Sequence, residues 1–303
     1  MLNRRILRIK VFKTIYAYAE NPSMTLAESH ELLDDLCQST RDLYLLMLDL
    51  TVELKAMAEK RINMAKSKFR PTEEEKNPNM KFVENEISRI LENDPDFKKI
   101  LSKKKLSWDN CDSFLWNLYE NIRQREYFQE YMSNPERSPE QDAALFTKIF
   151  EQELVDDEQL ESILEDLSIW WNNDLAYSLT CCCRTFADLA KGRTWRMPEL
   201  YQSQMPGKVG MDSDRDFVYR LLDRAYVDYG KDLKEIDELT PKWDINRVCT
   251  TDLALIVCGM SEAAAFPDMP KKVVVNEYVE ISKYFSTPES KGFVNGLLDN
   301  LIK

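Results

Sequence analysis

Residues 268–302, DMPKKVVVNEYVEISKYFSTPESKGFVNGLLDNLI, carry the most informative pattern in the chain. They read as two helices, 271–285 and 288–302, joined by a capped turn. At the turn Thr287 can cap, Pro288 suits a first helical position and Glu289 favours the helix dipole. Lys271 and Lys272 sit at a helix start, where their charge opposes the dipole; either a function or a solvated end explains them. Gly292 and Gly296 are four apart. Each costs about 1 kcal/mol of helix propensity. A close helix crossing would offset that cost, with Asn295 hydrogen-bonding across it. Asn276 is read as structural, while Glu277 either pins the last helices together or stays at the surface.

The region just before this tail is helical too. Residues 246–264 are apolar, residues 214–229 are amphipathic through Phe217, Leu221, Leu222, Ala225 and Tyr226, and residues 231–239 form a short segment. The tract 192–213 has three glycines, two prolines and little periodicity, so it reads as a long loop. At the other end, Leu7, Val11, Ile15 and Tyr18 recur at helical spacing over residues 4–19. Thr25 and Glu28 fit a capping box, and an almost unbroken helical pattern then runs to about residue 66. A helix that long either bends or projects. Residues 67–80 read as a loop, with helices expected at 81–91, near 97–101, across the aromatic-rich 108–132, and over 141–155 and 157–189. Pro95 is read as a break. There is no internal repeat.

Bulk properties agree with an all-α chain. Only seven of 303 residues are glycine, and 44% are apolar, enough for one large or two small domains. The formal charge of −12 argues against a protein that coats nucleic acid, yet it leaves room for a local basic patch. Basic residues return at Arg8, Lys10 and Lys13, so the N-terminus is not read as a signal peptide, and no run of eighteen apolar residues suggests a membrane span. Seven cysteines, three of them adjacent at Cys181, Cys182 and Cys183, do not look like a disulfide framework, and a cytoplasmic location is expected.

The chemistry-bearing motifs are sparse. Consecutive helical cysteines point about 100° apart and cannot converge on one metal, so no metal is expected and the thiols read as small buried side chains. The single histidine, His30, has Asp34 and Asp35 beside it in sequence but no further support for a catalytic dyad. Phosphate-loop, dinucleotide and nucleophile-elbow signatures are missing. No catalytic residue and no cofactor is assigned, and the expectation is a protein that is not an enzyme. Of the neighbours Trp170 and Trp171, one is expected to pack inward and the other to cover an edge.

Two stretches resemble the NusB family. The opening helix, NRRILRIKVFKTIYAYAE, is similar to that family's arginine-rich first helix, and the tail is similar to its closing two helices through P-x-K-V-x-x-N-E followed by G-F-V-N-G-L-L-D. The likeness extends to residues 214–229 and from Trp243 to Glu262, so that about 1–30 and 212–303 match and 31–211 do not. The resemblance implies an all-α NusB-like helical bundle with an enlarged N-terminal half. Its subdomains would be 1–211, containing the expansion 31–211, and 212–303. It also implies transcription antitermination, with single-stranded boxA-type RNA held jointly with a NusE-like small-subunit ribosomal protein, and RNA polymerase engaged indirectly.

The residues give that implication a physical basis. The first thirteen contain Arg4, Arg5, Arg8, Lys10 and Lys13 and no acid. Arg4 and Arg8 share a helical face, and arginine can serve phosphates or base edges. Tyr16 lies on the side of Phe12 and could offer a stacking platform. On residues alone, a merely solubilising first helix explains the charges equally well. By resemblance, Arg4, Arg5, Arg8 and Tyr16 correspond to the RNA surface, although Ile6 stands where a third consecutive arginine commonly occurs. Lys271, Lys272, Glu289 and Phe293 are added to that surface. Asp252, Glu262 and Glu289 are expected to meet the basic ribosomal partner. The first alternative is a protein-binding adaptor in ribosome biogenesis without selective RNA binding; the second is the recognition domain of an RNA-modifying enzyme.

Overall fold

The computed structural model describes residues 1–201, 213–240 and 248–302, so Trp243, residues 202–212 of the expected loop and the expected boundary at 211/212 lie outside the described residues. Every regular element among these residues is helical. In chain order the α-helices begin with α1 (Arg4–Glu20), α2 (Leu26–Lys66), α3 (Glu73–Lys76), α4 (Glu86–Asn93) and α5 (Pro95–Lys104). Next come α6 (Asp112–Gln124), α7 (Glu126–Ser133), α8 (Pro139–Glu153), α9 (Glu158–Leu167) and α10 (Leu175–Ala190). The last four are α11 (Asp214–Leu239), α12 (Thr250–Ala265), α13 (Lys271–Phe285) and α14 (Ser290–Leu301). None is long and apolar enough to cross a membrane.

The caps show why the helices start where they do. Asn3 accepts the Ile6 N–H at the head of α1. Thr25 and Glu28 exchange backbone hydrogen bonds ahead of α2, and Thr72 and Glu75 repeat that box around the short α3, inside a tract read as loop. The break read at Pro95 separates α4 from α5: α4 ends at Asn93, and Pro95 opens α5 at its first position, with Asp94 accepting the Phe97 N–H. α2 remains one helix of 41 residues. The pattern 214–239, expected as two helices, is a single helix that runs through Gly230.

The chain divides into two compact units, one of residues 1–38 with 199–303, the other of residues 39–198. In the first, α12 is the central element. Its residues 253–262 are buried, and it packs on α1, α11, α13 and α14. A helix enclosed on all sides has to be apolar nearly all round, and the sequence LALIVCGM meets that need. Gly259 permits the closest packing: a Cβ there would lie 2.8 Å from Leu298 Cδ2. The expected crossing at Gly292 and Gly296 is absent, because nothing lies within 4 Å of a Cβ at either position. Asn295 donates along its own helix to Asp299. Asn276, read as structural, is exposed.

In the second unit, α8 packs on α10, and α4, α6 and α7 pack on α8. Phe82, Phe128, Phe146, Phe150 and Phe186 fill its interior. Cys182 is wholly buried there, and burial pushes its thiol well above the ordinary range. Trp171 is buried while Trp170 is half-exposed. Lys81 sends its ammonium to the carbonyls of Asn134 and Glu136, and Tyr131 donates to Asp142, which in turn accepts the Glu86 N–H at the start of α4. That network holds the 134–138 connection against α4.

Candidate nucleic-acid interface

The three arginines of α1 stand on the half of the helix where a positive charge is least welcome. Each therefore draws on an acid from another helix. Arg4 Nε lies 2.7 Å from Asp214 Oδ1 of α11, and its guanidinium stacks 4.1 Å above the Phe217 ring. Arg5, half-exposed, donates from Nε and Nη2 to the two oxygens of Glu277 on α13, at 2.9 and 2.8 Å. Arg8 is buried and forks onto Glu262 of α12, with Nη2 2.6 Å from Oε1 and Nε 2.8 Å from Oε2. Tyr278 donates to the same carboxylate at 2.9 Å. The Arg5 hydrogen bond holds the Glu277 carboxyl below its ordinary range, with the Arg8 charge adding to it.

These pairs set α1 beside α13. Arg5 meets Glu277, and seven residues further along α1 the Phe12 ring meets Phe285 at 5.3 Å. The two helices thus run in the same direction. Along their seam stand Arg5, with Tyr284 beside it at 76% exposure, and further along α1 Tyr16 at 39%, while Lys271 and Lys272 are exposed at the start of α13. Tyr16 rests 6.5 Å from Phe12, and Lys13 lies 5.7 Å from the Phe285 ring. Beyond the seam, Glu289 is exposed ahead of α14 and Phe293 is half-buried within it.

The other expected partner residues lie inside. Glu262 is wholly buried and spends both oxygens on Arg8 and Tyr278. Asp252 is 5% exposed; it accepts from Ser286 at 2.6 Å and from Ser290 at 2.7 Å, tying the first turn of α12 to the α13–α14 junction. In this structure the work of both carboxylates is internal. Thr287 does not cap α14 as expected; its hydroxyl lies 3.1 Å from Ser290 Oγ, and the helix begins three residues later. His30 pairs with Asp223 of α11 at 2.6 Å, while its sequence neighbour Asp34 accepts from Tyr201 and Tyr219. Asp214, Phe217, Glu277 and Tyr284 were not singled out as site residues. Tyr284 had one readable signal, an aromatic placed at the end of an amphipathic helix.

A cleft of about 230 Å³ opens where α11, α12 and the start of α13 meet, lined by Asp228, Asp232, Glu235 and Lys271 among others. Burial, with Asp228 and Glu235 nearby, pushes the Asp232 carboxyl up to about 6. Among the described residues no cluster of histidine, cysteine and acidic side chains could hold a metal ion.

Comparison with known proteins places residues 199–303 under the model of the NusB family. The chain is 31% identical over 119 residues to the transcription antitermination protein NusB of Methylacidiphilum infernorum, covering 34% of this chain and 82% of that protein. It is 34% identical over 112 residues to the Dictyoglomus thermophilum protein of the same name, covering 34% and 76%. With the Salinibacter ruber NusB it shares 35% over 102 residues, covering 31% and 61%. Against several such relatives the chain spans between half and two thirds of their length. No solved structure matches the chain.

Proposed function

The chain belongs to the NusB family, and on that footing we propose that it is a non-enzymatic, RNA-binding transcription antitermination factor. It holds boxA-type single-stranded RNA jointly with a NusE-like ribosomal protein, in service of ribosomal RNA transcription. The observation that supports this reading is the α1–α13 seam, which brings Arg5 and the exposed Tyr284 and Tyr16 along one edge where α1 meets the family segment. The distance from Arg5 to Tyr16 along α1 is about 16 Å at 1.5 Å per residue, room for a few extended nucleotides.

In this reading Lys271, Lys272 and Arg5 serve phosphates, and Tyr16 stacks on an unpaired base. Arg4 and Arg8 act behind them, because their guanidinium groups are engaged with Asp214 and Glu262. Glu289 and Phe293 extend the surface toward the partner. The expansion read at 31–211 contains the unit 39–198. A second reading, an adaptor that binds protein without selecting RNA, draws support from one fact: all three arginines of α1 are paired with the chain's own acids.

The test is binding of a fluorescent boxA-like RNA against a scrambled RNA at matched salt, with and without the cognate NusE-like protein. Selective binding strengthened by the partner supports the antitermination reading. A stable protein complex with no RNA selectivity favours the adaptor.

A further inference from the structure

The acid-free stretch 97–108, FKKILSKKKLSW, carries five lysines in a chain whose formal charge is −12. It forms most of α5 and the turn that follows. Phe97 and Leu101 are buried, which fixes the inward face of the helix. Lys104 reaches back to Asp42 at 2.8 Å and pins α5 to α2. The opposite face then presents Lys98, Lys99, Ser102 and Lys103, with Lys105 just beyond in a left-handed conformation, all exposed. Among the described residues none of these four lysines makes an ion pair, whereas Lys55, Arg61, Lys68, Lys104 and Arg125 of the same unit do.

Helix electrostatics account for part of this. Lys103 and Lys105 stand at the C-terminal end, where the dipole favours them. Lys98 and Lys99 stand in the second turn, nearer the positive end, and gain nothing from it. The face also lacks any exposed large apolar side chain, which a membrane-inserting helix needs. It lacks arginine as well, the residue that forks onto a base edge or a carboxylate. What remains is a row of flexible point charges, suited to a phosphate chain and indifferent to base identity.

We propose that the outward face of α5 docks the sugar–phosphate backbone of RNA without sequence preference. The face belongs to the unit 39–198, outside the family segment 199–303, so this second contact stands apart from boxA recognition. A polyanion approaching an acidic protein is repelled except where cations outnumber acids, and on the exposed side of α5 and its following turn Lys98, Lys99, Lys103 and Lys105 outnumber the single Asp96.

The experiment measures binding of a fluorescent twenty-nucleotide oligouridine to the full chain between 20 and about 200 mM salt. Compared with it are the variant Lys98→Gln, Lys99→Gln, Lys103→Gln, Lys105→Asn and a control with equal charge loss, Lys76→Gln, Lys191→Gln, Lys231→Gln, Lys283→Gln. Each phosphate contact on a single strand contributes about 0.7 to the slope of log affinity against log salt, so the α5 variant loses up to roughly 3. The control keeps most of the slope. Circular dichroism melting confirms that each variant folds, and the single variants Lys98→Gln and Lys99→Gln, each losing about 0.7, give a second reading. Equal losses in both sets, no oligouridine binding by the native chain, or preferential binding of polyglutamate would each overturn the proposal. A chain that lacks boxA selectivity yet loses slope only in the α5 variant leaves this proposal standing and sinks the antitermination reading.

Discussion

Arg8 and Glu262 lie 254 positions apart in sequence and meet as a buried fork, with the carboxylate fully enclosed and Tyr278 donating to its second oxygen. Removing one partner of such a pair leaves a buried charge without compensation, at a cost of about 3–5 kcal/mol. Glu262→Ala and Arg8→Ala should each lower the urea midpoint by that equivalent. The double variant Arg8→Met/Glu262→Leu should be much less destabilised than the sum, because the desolvation cost disappears with both charges. Additive losses in a double-variant cycle would show that the two side chains do not act as a unit.

Gly259 and the pair Gly292/Gly296 should respond in opposite directions. A Cβ at 259 would meet Leu298 Cδ2 at 2.8 Å, and Leu298 is itself wholly buried, so it has little room to move. Gly259→Ala should destabilise by about 1–3 kcal/mol through overpacking. Nothing approaches Gly292 or Gly296, so alanine there should stabilise α14 by about 0.5–1 kcal/mol each. Thermal melting of the three single variants checks the signs.

The contrast between these glycines shows where sequence reading stops. Helical periodicity located α1, α2 and α13 well, because burial of one face writes a local pattern, and α12 was legible as an apolar run. The all-α class and the family likeness were legible for the same reason. Glycine spacing alone did not say which glycine faces a neighbour, since that depends on which helices pack. Likewise the basic residues of α1 were visible, but their partners Asp214, Glu262 and Glu277 lie more than 200 positions away. A long-range ion pair leaves no trace in local spacing, and exposure of an arginine therefore cannot be read from its position on a helix.

Two carboxylates in the fold respond to pH with opposite signs. Burial, with Glu53 nearby, pushes Asp49 on α2 from its ordinary 3.8 up to about 7. A carboxyl raised in the folded state contributes stability below its unfolded pKa, and that contribution is lost as pH climbs through the folded value. Stability should therefore fall between about pH 4 and 7 from this group. Asp49→Asn should flatten that slope and raise stability at pH 8 by roughly 2–4 kcal/mol, measured by urea denaturation across pH. Glu277, held below its ordinary range by Arg5, acts the other way: its contribution is present above the unfolded pKa and disappears as pH falls through the folded one.

The same Arg5–Glu277 pair offers a test of the seam. If RNA lies along it, Glu277 is both a repulsive charge and the group that occupies the Arg5 guanidinium. Glu277→Gln should then tighten boxA binding several-fold by freeing Arg5, even as it removes an ion pair from the fold. Tyr16→Ala should weaken binding by about 1–3 kcal/mol, or roughly 5- to 150-fold, if one base stacks there. Tyr16→Phe should retain the affinity, because stacking needs the ring and not the hydroxyl. Were Glu277→Gln to weaken RNA binding while Tyr16→Ala left it unchanged, the seam would be holding helices together and nothing else. The RNA surface would then have to lie toward Glu289 and Phe293.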